Sequence, residues 1–365
     1  MSGLPPGLLL RRGLHLARWL GPWAEATASP PGVARRTVTV IGDRPFQAWV
    51  WRRADRPPDG ALLLLPGLHF LGPSDPRFER LARIIAGAGL LVLAPFLPDF
   101  ERLEVAPTLF RDAEASLDAL LAQPEMPDVR PGVFSISFGS LPALQLAAAR
   151  GRELGSLLVF GGFHDLRRTL RFALGGDAAR PHDPLNAPVV FLNLLPHLEV
   201  APALREPLAA AWREQCRRTW GRPELRHGDA HVEVARALSA SLPEAARELF
   251  LVGARAAPGT EALALDALAR AGSAFDWVGL DAALPRIACD VHLVHGRADD
   301  VIPHEESASL YEALHPHVCT ALHLTGLYGH TAHAGQGALL RAPQAWTQEA
   351  LSMAAILGAL ARASR

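Results

Sequence analysis

Lysine is missing altogether from the 365 residues, so all 36 basic side chains are arginines. They are spread along the chain without a dense basic block and are balanced by 37 acidic residues to a formal net charge of −1, which argues against a nucleic-acid surface. The arginine bias reads as genome composition. Cysteine is nearly absent too: Cys216, Cys289 and Cys319 lie far apart, with no CxxC pair and an odd total, which excludes a disulfide framework or a zinc site. A reducing, cytoplasmic setting is the expectation. The chain also lacks a long hydrophobic run. Its first apolar stretch, "GLLLRRGLHLARWLGPW", is broken by Arg11 and Arg12 and is followed by no A-x-A site, so it reads neither as a signal peptide nor as a membrane span. On a helical wheel Leu9, Leu16, Leu20 and Trp23 gather on one side with Arg11 and Arg18 opposite. The expectation is a helix packed on the domain, with membrane-surface contact as the alternative. Internal repeats and low-complexity tracts are absent.

What is present is a chain that is 49% hydrophobic, enough to bury a large core. Strand-like runs fall at 36–42, 46–53, 61–67, 90–95, 132–137, 157–162, 290–296 and 320–326. The first two are adjacent and alternate in polarity, as a hairpin at a solvated sheet edge would. The later ones are short, continuously apolar and separated by helical patterns such as "RFERLARIIAGAG", where Phe78, Leu81 and Ile85 share one stripe. Strands buried on both faces of a parallel sheet have that appearance. One interval breaks the rhythm: about 128 residues separate the sixth run from the seventh, where a one-helix crossover needs only a few tens. The fold expected is therefore α/β: a mostly parallel eight-stranded sheet with helices on both faces and an inserted, mainly helical cap. The division expected is an N-terminal extension over 1–33, a core over 34–164 and 284–365, and the cap over 165–283.

The stretch "VFSISFGSLPALQLAA", 133–148, runs from strand-like into helix-like residues with serines and a glycine at the change. A Ser-x-Gly pair decides nothing alone, because 15 serines and 31 glycines give about one such pair by chance. Its setting is more specific. With a strand before it and a helix after it, Ser137 stands on the joining turn, Gly139 removes a Cβ where strand and helix approach closely, and Pro142 is tolerable in a first helical turn. The Phe138 N–H then points the same way as the serine hydroxyl. That is the strand, turn and helix that a nucleophile elbow requires.

Here the chain resembles the α/β-hydrolase family. The family motif G-x-S-x-G is matched by Ser135-Ile136-Ser137-Phe138-Gly139, with Ser135 in place of the first glycine. In that family the nucleophile is followed by an acid and then a base at the ends of the last two strands. "GRADDVIP" resembles the acid loop, through Gly296, Asp299, Val301, Ile302 and Pro303, and "LYGHTAH" resembles the base loop, through Gly329-His330. The resemblance implies a triad of Ser137, Asp299 and His330, with His333 the rival base and Asp300 and Asp165 the rival acids. It implies an oxyanion hole made by the N–H groups of Phe138 and Leu68. Leu68 lies in Leu65-Pro66-Gly67-Leu68-His69-Phe70, where Pro66 replaces the family's histidine. His69 reads as a packed or surface histidine rather than one facing the pocket. The function implied is cleavage of a carboxylic ester or thioester with an apolar acyl part, through an acyl-enzyme and without a cofactor. Acyl transfer to another acceptor, or a catalytically silent binding protein on the same fold, are the alternatives.

Overall fold

The structure is a computed structural model and describes residues 5–21, 23–175, 182–226, 228–326 and 343–364, the side chains of 343–348 excepted. Eight strands, β1 (Val33–Val40), β2 (Phe46–Arg53), β3 (Gly60–Leu65), β4 (Leu90–Pro95), β5 (Gly132–Ile136), β6 (Ser156–Phe160), β7 (Asp290–Gly296) and β8 (Thr320–Thr325), form one sheet. Its order is β1-β2-β4-β3-β5-β6-β7-β8. β2 is antiparallel to both of its neighbours, and every other pairing is parallel. Each expected run meets one of these strands. β1 begins at Val33 rather than at 36, because it pairs with the whole of β2 from Val33 opposite Arg53 to Val40 opposite Phe46.

The continuous apolar runs follow from burial on both faces. In β3, Ala61, Leu63 and Leu65 join the core on one side of the sheet, and Leu62 and Leu64 join the core on the other. β4 divides in the same way, Leu91 and Leu93 against Leu90 and Val92. Alternate side chains of a strand point to opposite faces, so neither face tolerates a polar residue. Helices α1 (Pro6–Leu20) and α2 (Pro76–Gly87) cover one face; after the short α3 (Pro98–Glu101), α4 (Thr108–Leu121) and α5 (Ser140–Arg150) cover the other.

α1 lies against the domain, with Leu16 and Arg12 fully buried. The Arg12 guanidinium donates to Asp59 Oδ1 at 2.7 Å and to the Ala361 carbonyl at 2.9 Å. The expected apolar stripe is corrected at one point: Trp23 is 69% exposed, because the helix ends at Leu20 and the wheel does not extend past Gly21. No described helix is long and apolar enough to cross a membrane.

Between β6 and β7 the described chain is helical, in α6 (Leu166–Gly175), α7 (Ala187–Leu194), α8 (Pro202–Thr219), α9 (Ala230–Ser239), α10 (Glu244–Gly253) and α11 (Thr260–Arg270). Phe191, Trp212 and Phe250 are buried together at its centre, and the Trp212 indole N–H donates to the Phe250 carbonyl at 3.2 Å. This insert is fastened to loops leaving the carboxyl ends of the sheet strands. Asn193 on α7 accepts the Val105 N–H at 2.8 Å and donates to the Leu103 carbonyl at 2.9 Å. Trp220 lies against His69, and Arg226 reaches Asp300. The last helices are α12 (Glu305–Leu314), between β7 and β8, and α13 (Pro343–Ala361).

Candidate active site

The elbow is built by local chemistry. β5 ends at Ile136 in extended conformation, Ser137 takes φ +53°, a single 3-10 turn runs to Gly139, and α5 starts at Ser140. An L-residue in the left-handed region costs about 1–2 kcal/mol, so the surroundings must hold it there. The loop after β3 does so. A Cβ on Gly139 would lie 2.3 Å from the Pro66 carbonyl oxygen, and one on Gly67 would lie 3.2 Å from both the Ile136 oxygen and the Ser137 Cβ. The two glycines thus let two backbones touch at the serine. The nearest atoms crowding Gly139 are backbone of Leu65 and Pro66, at the end of β3 and the start of its loop, where the sequence pointed to the approach of strand and helix.

The two N–H groups expected at an oxyanion hole adjoin this contact in sequence, Phe138 next to Ser137 and Leu68 next to Gly67. Phe138 N–H belongs to the first turn after a strand, where helical N–H groups have no acceptor of their own. Leu68 N–H, one residue past Gly67, donates to no described residue. Ser135 and Ser140 are different. Ser135 is fully buried within β5 with its hydroxyl 3.4 Å from the Leu158 carbonyl, and Ser140 is fully buried in α5.

The acid candidates separate by environment. Asp299 is 2% exposed, and its Oδ1 accepts the N–H groups of Val301 and Ile302, each at 2.9 Å. Two backbone donors of this kind fix that carboxylate oxygen in place. Asp300 turns to the insert: its carboxylate accepts from Arg226 at 2.7 Å, and its carbonyl accepts the Asp183 N–H at 2.9 Å. Asp165 is exposed and caps α6, accepting the Arg168 N–H at 3.1 Å. His330 and His333 lie outside the described residues.

His69 is packed rather than at the surface. Its ring stacks on Phe70 with centroids 4.5 Å apart and faces Trp220 at 5.4 Å, while Nδ1 accepts the Leu71 N–H at 3.1 Å. Burial pushes its pKa down to about 4, against the opposing pull of Asp75, whose carboxylate lies 3.6 Å from Nε2.

Three side chains that sequence reasoning did not single out support this arrangement. Glu306, fully buried on α12, accepts the N–H groups of His164 and Asp165 at 3.0 and 2.8 Å and pairs with Arg168, so it holds the start of the insert. Arg226 joins Asp183 to Asp300. His295, at the end of β7, is fully buried beside Asp299. The one sequence signal was for His295, a polar residue inside an otherwise apolar strand end. Among the described residues no cluster of His, Cys, Asp and Glu could hold a metal ion.

A sheet with this strand order and a strained serine on the turn after β5 is the α/β-hydrolase fold. No family model matches the sequence, and no curated protein matches it. Among solved structures, the chain is similar to 2,6-dihydroxy-pseudo-oxynicotine hydrolase at 16% identity and a TM-score of 0.47, over 90% of this chain and 68% of that one. It is similar to the esterase domain of a Rhodothermus marinus protein at 16% identity and a TM-score of 0.44, over 91% and 99%. It is also similar to the Pyrococcus horikoshii acylaminoacyl peptidase, at 11% identity and a TM-score of 0.46, covering 91% of this chain but only 42% of the peptidase.

Proposed function

We propose that the chain is a serine hydrolase that cleaves a carboxylic ester or thioester with an apolar acyl part. Ser137 Oγ attacks the carbonyl carbon as His330 takes its proton. The Phe138 and Leu68 N–H groups meet the developing oxyanion, and the imidazolium returns the proton to the leaving group. Water, deprotonated by the same imidazole, then attacks the acyl carbon, the bond to Oγ breaks, and the imidazolium returns its proton to Ser137 Oγ as the acid leaves. Asp299 holds the imidazole tautomer and steadies its charged form. The helical insert, taken as a cap over the strand ends, supplies the acyl pocket. What supports this reading most is Ser137 itself: a serine at φ +53° is strained, and strain of that kind is retained where the surroundings enforce it for use.

A fluorophosphonate probe tests it. The adduct is expected on Ser137, with Ser137→Ala abolishing labelling and Ser135→Ala and Ser140→Ala retaining most of it. An adduct elsewhere removes the elbow assignment, and no adduct at all favours a silent binding protein. A second reading, acyl transfer to an alcohol or thiol, is favoured by the burial of Ser137, only 6% exposed, since a closed site can keep water from the acyl-enzyme. Competing acceptors against water in a p-nitrophenyl ester assay separates the two.

A further inference from the structure

On the outer side of α1 the pattern of buried apolar side chains is reversed. Leu10, Leu14 and Arg18 recur at every fourth residue on the side opposite the buried Arg12 and Leu16, and the two leucines are each 64% exposed. Arg11 borders the same stripe and is exposed with them. The stripe continues past the end of the helix. Gly21 falls on it, and a Cβ there would lie 2.4 Å from the Trp23 ring, so the exposed indole is folded back over the end of the stripe.

α13 packs beside α1 on the same face of the sheet and repeats this reversal. Met353 and Leu357 enter the core, while Ala350, Leu351 and Ala354 are exposed, Leu351 by 71%. Because both helices cover one face of the sheet, their outer sides look the same way. Among the described residues six large apolar side chains are exposed, and four of them, Leu10, Leu14, Trp23 and Leu351, belong to these two helices and their edge. Single exposed apolar residues need no explanation, but a gathering of them marks a surface for a partner.

Charge decides which partner. The outer sides carry Arg11, Arg18 and, one residue past α13 and lying back over Gly358, Arg362, all exposed. They carry no acid. α1 contains none, and Glu349, the one acid in the described side chains of α13, turns inward to the Thr325 hydroxyl and the Gly326 N–H, at 2.8 Å each. Asp59 is already held by Arg11 and Arg12. Arg18 lies over the Trp19 ring at 5.3 Å and, like Arg362, pairs with no described carboxylate. A second copy docked face to face would set these arginines against their own copies. An anionic bilayer satisfies both features: leucines enter the acyl boundary, an indole sits at headgroup level, and guanidinium groups meet phosphates.

We propose that the outer sides of α1 and α13 together form a docking surface for anionic phospholipid bilayers, on which the protein lies without crossing the membrane. Docking of this kind is independent of the serine-hydrolase reading.

The test is co-sedimentation of the full chain with vesicles of phosphatidylcholine alone and of an equal mixture with phosphatidylserine. Partitioning onto the mixed vesicles is expected to exceed that onto phosphatidylcholine by about tenfold at low salt and to approach it at high salt. Leu10→Ser with Leu14→Ser, at exposed positions, is expected to weaken binding to mixed vesicles by about tenfold or more. Arg18→Gln with Arg362→Gln is expected to cost about tenfold on mixed vesicles and little on phosphatidylcholine. Ile41→Ser, exposed on the β1–β2 connection, is expected to change nothing. Mixed vesicles are expected to shift tryptophan emission to the blue, and Trp23→Phe to remove that shift. No pelleting with mixed vesicles at low salt overturns the proposal, as does binding that the leucine pair or the arginine pair leaves intact, or that Ile41→Ser weakens equally. A dimer in analytical ultracentrifugation that the leucine pair dissolves, without vesicle binding by the parent, assigns the face to a second copy and overturns it as well. A leucine pair that does not fold leaves the arginine pair and the Trp23 emission to decide.

Discussion

Single atoms decide the chemistry proposed for the serine turn and the acid loop. At Gly139 an added methyl would meet a backbone oxygen at 2.3 Å, so the Pro66 carbonyl, and with it the Leu68 N–H, must move. Gly139→Ala is accordingly expected to lower stability by about 1–3 kcal/mol, the ordinary range for overpacking, and to lower kcat further than that loss of fold explains. Thermal melts beside turnover of a short ester check both. The adjacent aspartates make a sharper contrast. Asp299→Asn is expected to be folded and slower by about 10⁴, because an amide there presents the wrong partner to the base. Asp300→Asn and Asp165→Asn are expected within about tenfold, under roughly 1.4 kcal/mol of barrier, because one carboxylate faces Arg226 and the other caps a helix. If Asp165→Asn is the crippled variant, the acid belongs to the loop after β6.

At the scale of elements, legibility followed the range of the interactions. The strands could be read because burial on both faces forces an uninterrupted apolar run, and the elbow because its strand, turn and helix are consecutive. The contacts that hold the site are remote in sequence: Pro66 against Gly139, Glu306 against His164, Arg226 against Asp300. Each partner alone is an unremarkable residue of its loop. The β3 loop shows what such contacts do. His69, stacked on Phe70 and facing Trp220 of the insert, has its pKa held near 4, whereas in an unfolded chain it titrates near 6.5. As pH falls the unfolded chain takes the proton first, so this contribution is complete above pH 6.5 and drains away between 6.5 and 4, to a ceiling of roughly 3 kcal/mol. The parent's melting temperature is expected to fall across that window. His69→Phe, which keeps the stack and loses the titration, is expected to fall less; equal slopes would remove His69 as the source.

At the scale of the whole molecule, the sheet and the helical insert share one hydrophobic cluster, in which Val133 and Leu157 of the strands join Leu166, Phe191 and Trp212, and side-chain fastenings tie the insert to loops where the strands end. Three fastenings are remote in sequence: Asn193 to the loop after β4, Trp220 to the loop after β3, Arg226 to the loop after β7. The aromatic packing of Phe191 with Trp212 and Phe250 is expected to survive the loss of one such fastening. Arg226 is the most informative to cut, since one guanidinium serves two carboxylates, Asp183 of the insert and Asp300 of the acid loop, at 2.6 and 2.7 Å. Arg226→Met keeps the bulk of the stem and removes both pairs, at a cost of about 1.5–3 kcal/mol for hydrogen bonds between charged groups. Because the proposed triad and both oxyanion donors lie outside the insert, hydrolysis of a two-carbon ester is expected within tenfold of the parent. The acyl pocket lies, on the same reading, between insert and sheet. A p-nitrophenyl ester series is therefore expected to show a changed chain-length preference, carried mainly by KM of the longer esters. A variant that stays folded, yet loses all chain lengths equally, would place a catalytic group within the insert or show that Asp300 passes the disturbance directly to Asp299.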